Sequence, residues 1–143
     1  MRIVLDTAIL VRATEKSHGP AREVLHSVIV GHTLLLSNEL LVEVARVLRY
    51  PRLQRFYKLS EASVYEFVRC LREAAEIVAL SPLLIMPIRD VNDIIVLQTA
   101  IIGEADVLCT TDEAFYAPPA SEFLKRAGIV VADDISLLQQ LRS

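Results

Sequence analysis

Four acidic side chains have the positions that a shared carboxylate site requires. Asp6 directly follows a short apolar run, and Asp112 follows another apolar run after two threonines. Glu43 lies inside a segment with helical spacing, and Asp93 begins a second such segment. Spacing alone also allows ordinary roles, because Asp93 could be a helix cap, Asp6 a solvated residue at a strand end and Glu43 part of a solvated helix flank. If the four converge, their mutual repulsion predicts a bound cation.

The chemistry of these side chains indicates a cation that prefers oxygen ligands. Carboxylates suit Mg²⁺ and Mn²⁺, whereas the chain has no histidine pair or cysteine cluster at the spacing of a zinc site. Such a cation could activate water and stabilise charge on a phosphorus centre. The residues therefore predict metal-assisted hydrolysis of a phosphodiester, with metal binding offsetting the repulsion between the acidic pocket and a nucleic-acid backbone.

Hydrophobic periodicity predicts the elements that must position these acids. Short apolar runs with the length of buried strands cover residues 2–5, 33–36, 106–109 and 128–131. Segments with helical spacing cover residues 21–30, 38–48, 61–78, 93–102 and 135–141. Strands that alternate with helices predict a central parallel sheet in a three-layer α/β/α sandwich. Ligands of such sheets bind beyond the carboxyl ends of the strands, which is where Asp6 and Asp112 stand.

Capping residues and prolines predict where several helices begin and end. Asn38 is the expected N-cap of the helix that carries Glu43, and Pro51 is expected to end that helical region. Gly103 and Gly128 are expected to stop the helices that precede them.

Length and composition predict one compact domain over residues 1–143. Just over half of the residues, 53%, are hydrophobic, which is enough to build a core without disulfides. Cys70 and Cys109 lie in apolar runs and are expected to be buried free thiols. No apolar stretch reaches the roughly 20 residues of a membrane span, and the N-terminus lacks the pattern of a signal peptide, so we expect a cytoplasmic protein without a membrane segment.

A local basic stripe contrasts with the formal net charge of −3. After Glu43, every third residue is an arginine: Arg46, Arg49, Arg52 and Arg55. Arginine binds phosphate oxygens in pairs, so the stripe could guide RNA toward the predicted metal. It could equally be a solvated helix face or a surface that receives an acidic segment of a protein partner.

Four ordered blocks of the sequence carry a resemblance to a known family. They are IVLDTAIL at residues 3–10, SNELLVEVARVL at 37–48, RDVNDIIVLQTA at 89–100 and ADVLCTTD at 105–112. Together they resemble the PIN-domain ribonucleases, most closely the VapC-like toxin components of prokaryotic toxin–antitoxin pairs. The likeness extends from Met1 to about Val131, and the specificity lies in the ordered set rather than in any single block.

The resemblance implies a function and a site. It implies an endoribonuclease with a PIN-like fold that uses Mg²⁺ or Mn²⁺, cleaves RNA, pairs with a cognate antitoxin and forms a homodimer. It assigns metal binding and catalysis to one acid in each block: Asp6, Glu43, Asp93 and Asp112.

Two positions depart from the family pattern and keep rival interpretations open. Ala8 replaces a residue that is usually polar, and Asn92 stands in a block that is often richer in aspartate. Asp90 could therefore reach the metal through water or simply cap the loop before it. One rival is a catalytically degenerate PIN-fold module that binds RNA or a protein. The other is a phosphatase or phosphotransferase with a strand-end aspartate nucleophile, although such enzymes would be expected to have a second aspartate where Ala8 stands.

Overall fold

The computed structural model describes residues 1–14 and 17–143. Five strands form one sheet in the order β3-β2-β1-β4-β5, and all neighbouring strands are parallel. The strands are β1 (Arg2–Leu5), β2 (Thr33–Leu36), β3 (Glu76–Ile77), β4 (Val107–Cys109) and β5 (Val130–Ala132). The predicted parallel sheet is thus confirmed, with one strand more than the sequence indicated.

Eight α-helices and one short 3-10 helix connect and flank the strands. The helices are α1 (Thr7–Arg12), α2 (Pro20–Gly31), α3 (Asn38–Leu48), α4 (Pro51–Tyr57), α5 (Glu61–Ala74), α6 (Val91–Ile102), α7 (Ala120–Arg126) and α8 (Asp134–Arg142), and the 3-10 helix is Glu113–Phe115. These are the helices formed by residues 1–14 and 17–143. With helices covering the sheet, the predicted α/β/α sandwich is confirmed.

The apolar runs form the core because parallel strands are covered on both faces. Every residue from Ile3 to Leu5 and from Leu34 to Leu36 is buried, and so is all of β4. Helix α3 packs against α1 and α6, and α6 also contacts β1 and β2. These contacts bring the helices that carry the candidate acids to the central strands.

The strand order creates a crevice beside β1. The chain passes from β1 outward through β2 to β3, and then returns through α6 to place β4 on the opposite side of β1. Strand order therefore reverses between β1 and β4, which is where open parallel sheets bind their ligands. The residues that follow β1 and β4 lie at this point.

Two predicted helix boundaries were wrong, and tertiary contacts explain both. The helix expected over residues 61–78 ends at Ala74, because the chain continues as β3 and pairs with β2 through Leu35 and Leu36. Pro51 starts α4 rather than ending a helical region, since proline lacks only an N–H that the first helical turn leaves unpaired.

The sequence named single residues at three helix ends, and one of these three predictions was wrong. The N-cap of α3 is Ser37 rather than Asn38, and its hydroxyl accepts a hydrogen bond from the Leu40 N–H at 3.3 Å. Gly103 does end α6, but with a φ of −75° it needs no special backbone freedom, and Glu104 takes the left-handed conformation instead. Gly128 follows α7 with a φ of 77°, as expected of a helix stop.

The expectation that both cysteines are buried is confirmed for one of them and wrong for the other. Cys109 is buried in β4, whereas Cys70 is exposed on α5, where its thiol lies 3.7 Å from a carboxylate oxygen of Glu66. No helix within the described residues combines the length and the apolar character that a membrane crossing needs.

The structure leaves no room for a side chain at Gly103, and this predicts that a substitution there lowers stability. A Cβ at this position would lie 2.7 Å from the carbonyl oxygen of Thr99 and 3.0 Å from a methyl group of Val78. We expect Gly103→Ala to lower the free energy of unfolding by roughly 1–3 kcal/mol, as overpacking of a core does. Urea denaturation measures the change.

Gly31→Ala is the matched control, because Gly31 also ends a helix but a Cβ there meets nothing within 4 Å. That variant should be neutral or more stable by up to about 1 kcal/mol. Equal effects of the two substitutions would show that space around Gly103 is not limiting.

Candidate active site

The register of β1 against β4 brings the residues after both strands side by side. Leu5 lies opposite Cys109, and the N–H of Asp6 donates to the carbonyl of Cys109 at 3.1 Å. Asp6 and Thr110 are the next residues of each chain segment, so their side chains meet at the carboxyl edge of the sheet. The reversal of strand order therefore has a carboxylate at its centre, as the sequence predicted.

Asp6 is buried and rigidly held. It caps α1, with one oxygen accepting from the Ile9 N–H at 3.0 Å and the other accepting from the Thr110 hydroxyl. Only 5% of the residue is exposed, and this burial raises the pKa of Asp6, as does the charge of Asp112, although both hydrogen bonds oppose the shift. A nearby cation would relieve the cost of keeping this carboxylate ionised.

Thr110 is a residue of this edge that the sequence analysis did not single out. Its hydroxyl donates to Asp6 and accepts from the backbone N–H of Asp112 at 3.0 Å, while its carbonyl accepts from the Tyr116 hydroxyl at 2.7 Å. The signal was available, because aligning the two strands by their apolar runs places Thr110 beside Asp6. Ala8 is exposed to solvent. The hydrogen bonds that hold the Asp6 carboxylate come from Ile9 and Thr110.

Asp112 lies at the open side of the site. It caps the 3-10 helix Glu113–Phe115, where one oxygen accepts from the Ala114 N–H at 2.9 Å, and it is exposed to solvent. The Ala114 N–H occupies one of its carboxylate oxygens, and the side chain also interacts with the carboxyl group of Asp93. Asp112 therefore combines a fixed position with direct contact to a second carboxyl group of this edge.

The structure separates the roles of Asp90 and Asp93. Asp90 is the N-cap of α6, and one of its oxygens accepts from the N–H groups of Asn92 and Asp93 at 2.9 and 3.2 Å. Asp93 lies in the first turn of the helix and is half-buried. Asp90 therefore caps α6, and the helix-cap role considered for Asp93 is wrong. A contact of Asp90 with the metal through water stays a prediction.

Asp93 is electrostatically linked to the other aspartates of the edge. Burial is the largest cause that raises its pKa to about 7, and the negative charges of Asp112, Asp90 and Asp6 add to the shift. A carboxyl group with this pKa carries a proton about half of the time at neutral pH. The structure thus brings Asp6, Asp93 and Asp112 into one acidic cluster.

Glu43 is held by a different partner. It is only 8% exposed, and one of its carboxylate oxygens accepts from Nε of Arg46 at 3.1 Å and from Nη2 of the same side chain. Its helix, α3, packs against α1, which Asp6 caps, and against α6, which contains Asp93. Glu43 is not among the charges that shift the pKa of Asp6 or Asp93. In this structure, however, Glu43 forms an ion pair with Arg46.

The donor chemistry of the cluster fits a hard divalent cation. All candidate ligands are carboxylates. The three aspartates repel one another when they are ionised, and a bound cation would offset this repulsion. Within residues 1–14 and 17–143, no three His, Cys, Asp or Glu side chains are close enough to form a ready metal-binding group. The carboxylates would therefore have to move closer together around the ion.

Two of the four stripe arginines have partners within the chain. Arg46 pairs with Glu43, and Nε of Arg49 donates to both carboxylate oxygens of Glu61 at 2.9 and 3.0 Å. Arg52 and Arg55 lie exposed on α4 and have no ion pair among the described residues. These two are the members of the stripe that are available to a ligand.

Large grooves lie away from the acidic cluster. One of about 760 Å³ is bounded by α2, α5 and the end of α8, and one of about 680 Å³ is lined mainly by apolar residues between Leu80 and Ile95. Neither is lined by Asp6, Asp93 or Asp112. The cluster is an open edge of the sheet, which suits a substrate larger than the site itself.

The raised pKa of Asp93 predicts how stability depends on pH without metal. Its carboxyl group keeps a proton up to about pH 7 in the folded chain, but loses it near pH 3.8 when unfolded, so rising pH destabilises the fold between these values. Asp93→Asn removes that penalty. We expect the variant to gain roughly 1–2 kcal/mol over wild type by pH 8, after allowance for solvent screening, and little at pH 4.

Asp133→Asn provides the control for this pH series. A backbone hydrogen bond from Ser136 is the main cause that lowers the pKa of Asp133, so its titration lies below the tested range. Its effect on the free energy of unfolding should be constant from pH 5 to 8. A pH-independent difference between Asp93→Asn and wild type would contradict the electrostatic cluster.

Comparison with known proteins agrees with the fold. A family model described as PIN domain matches residues 2–114. Among solved structures, a chain of VapBC2 from Rickettsia felis, bound to a DNA fragment from their promoter, is similar with a TM-score of 0.58 and 17% identity, over 93% of this chain and 98% of that chain. No curated protein gave a significant match. The family model covers most of the sequence and all four candidate acids, and the chain therefore belongs to the PIN-domain family.

Proposed function

We propose that this protein is a metal-dependent endoribonuclease that hydrolyses RNA phosphodiester bonds and acts as the toxin of a toxin–antitoxin pair. The observation that carries the proposal is the acidic cluster of Asp6, Asp93 and Asp112 at the reversal of strand order in a PIN-domain chain. PIN domains are generally nucleases, which supports this activity. The VapBC2 origin of the similar fold supports an antitoxin as the protein partner.

The proposed metal ligands are the three aspartates together with Glu43. A bound Mg²⁺ or Mn²⁺ would supply a polarised water and stabilise charge at the phosphorus. Asp6 provides a fixed carboxylate, since Thr110 and the Ile9 N–H orient both of its oxygens. Asp93 would be ionised beside a bound cation, because positive charge lowers the pKa of a nearby carboxyl group. Asp90 orients the first turn of α6 and thereby the backbone at Asp93.

The proposed RNA contacts lie on α4 and on the end of α3 that precedes it. Arg52 and Arg55 are exposed beside Phe56, whose ring is 80% exposed and could stack on a base. Arg46 and Arg49 remain part of the prediction, but each would have to leave a carboxylate of this chain to bind phosphate. A homodimer and a cytoplasmic location are expected by the same family analogy.

Replacing the proposed ligands tests the nuclease activity. The amide variants Asp6→Asn, Glu43→Gln, Asp93→Asn and Asp112→Asn keep the side-chain volume and remove one negative charge. We expect each to lower the rate of single-stranded RNA cleavage in Mg²⁺ or Mn²⁺ by roughly 100-fold or more, because the cation loses a direct ligand. A fluorescent RNA oligonucleotide assay measures the rate.

Asp106→Asn is the matched control, since Asp106 precedes β4 at the opposite end and accepts a hydrogen bond from the Arg2 N–H at 2.7 Å. Its activity should equal that of wild type. Cleavage that continues in excess chelator would overturn the metal mechanism. Binding of RNA without cleavage in either metal would instead identify a catalytically degenerate PIN module.

The proposed RNA contacts are tested by replacing Arg52 and Arg55, the two stripe arginines that have no ion pair among the described residues. We expect Arg52→Gln combined with Arg55→Gln to weaken RNA binding and to lower the magnitude of its log–log salt slope by roughly 1.4, about 0.7 for each lost phosphate contact on a single strand. Fluorescence anisotropy at several salt concentrations measures both quantities.

Lys125→Gln with Arg126→Gln serves as the control, because these residues are exposed on α7, which is not part of the stripe. Binding and salt slope should stay at wild-type values in that pair. The opposite pattern, with loss only in the α7 pair, would place the RNA path at α7 rather than at the stripe.

A further inference from the structure

The pairing of Glu43 with Arg46 differs from the surface ion pairs of the chain. The Glu43 side chain is 10% exposed, whereas both partners of the Arg69 and Glu66 pair on α5 are 41% and 56% exposed. A buried carboxylate loses its hydration and depends on its partner far more than an exposed one does. Arg46 is therefore the internal counter-cation that makes the burial of Glu43 tolerable.

The hydrogen bonds use only half of the Glu43 carboxylate. Both Nε and Nη2 of Arg46 donate to the same oxygen, Oε2, and within the described residues no hydrogen bond reaches Oε1. A cation approaching Glu43 would meet one oxygen that is available and one that is occupied. The guanidinium would also repel that cation, since two positive charges would share one carboxylate.

Arg46 also has a partner other than Glu43. While it is bonded to Glu43, its guanidinium carbon lies 5.9 Å from the centre of the Tyr50 ring, within the range of a cation–π interaction. Its side chain is 55% exposed, so water can solvate the guanidinium after release. Arg46 can therefore leave Glu43 without becoming a buried, unpaired charge.

We propose that Arg46 is a built-in competitor of the metal ion: it occupies Glu43 in the metal-free protein and must swing away before both oxygens of Glu43 can join the metal. The inference rests on the proposed function, because it takes Glu43 as a metal ligand. It assigns Arg46 to the regulation of metal binding in addition to any contact with RNA. The position of Arg46, the first arginine of the stripe, then depends on whether the metal is bound.

Two measurements on Arg46→Gln should move in opposite directions. Without the competing guanidinium, Mn²⁺ should bind the full chain roughly tenfold more tightly, as measured by isothermal titration. Without its counter-cation, Glu43 is left buried and unpaired, so the metal-free protein should melt roughly 5 °C or more below wild type. A purely structural role of Arg46 would lower stability without tightening Mn²⁺ binding.

Two further variants complete the test. Arg46→Lys keeps the charge with a single ammonium group, so its Mn²⁺ affinity should lie between wild type and Arg46→Gln, and it gives the answer if the glutamine variant fails to fold. Arg49→Gln is the control, because Arg49 pairs with Glu61 on the surface. It should leave both Mn²⁺ affinity and metal-free stability unchanged.

The outcomes separate this inference from the proposed function. If wild type binds Mn²⁺ and Glu43→Gln weakens binding, but Arg46→Gln and Arg46→Lys bind no more tightly than wild type, the competition is refuted while the metal site stands. If wild type binds no Mn²⁺ at all, the proposed function fails and the inference fails with it.

Discussion

The hydrogen bond from the Thr110 hydroxyl to Asp6 joins the ends of the two central strands, and the geometry of the acidic edge depends on it. The same hydroxyl accepts from the N–H of Asp112, so one buried group fixes two aspartates that come from distant parts of the sequence. Register makes this possible, because Leu5 and Cys109 pair one residue earlier. A shift of one residue between β1 and β4 would turn these side chains to opposite faces.

Burial and charge repulsion at this edge lower the stability of the metal-free chain at neutral pH. Burial is the largest cause that raises the pKa of Asp93 to about 7, and the charges of Asp112, Asp90 and Asp6 add to it, which costs folding free energy at neutral pH when no cation is present. The metal-free chain limits that cost by protonating Asp93 and by pairing Glu43 with Arg46. Such sites are expected where activity needs an arrangement that packing alone would not favour.

The sequence predicted the parts of the site that depend on local pattern. Apolar runs that end in Asp6 and just before Asp112 placed both acids at the carboxyl edge of a parallel sheet, and the strands confirmed that placement. The start of α6 was wrong by two residues, because either Asp90 or Asp93 could cap a helix and only the folded backbone shows that Asp90 does. The metal-binding roles of the four acids remain predictions.

Features that arise from tertiary contacts could not be read from the pattern. The two-residue strand β3 forms only because β2 offers it hydrogen-bonding partners, and its own sequence fits the preceding helix equally well. Arg46 looked like one more cation of a regular stripe, yet the burial of Glu43 gives it a specific partner. Side-chain pairing of this kind depends on which faces of neighbouring helices are covered, and spacing along one helix does not contain that information.

The most direct test of the account is the anomalous scattering of Mn²⁺ in crystals of the full chain grown with the ion. We expect an anomalous peak bonded to carboxylate oxygens of Asp6, Asp93 and Asp112, with Glu43 turned toward it and Arg46 moved away from Oε2. A peak at any other place on the chain, or an Arg46 still bonded to Glu43 beside a bound ion, would contradict the account.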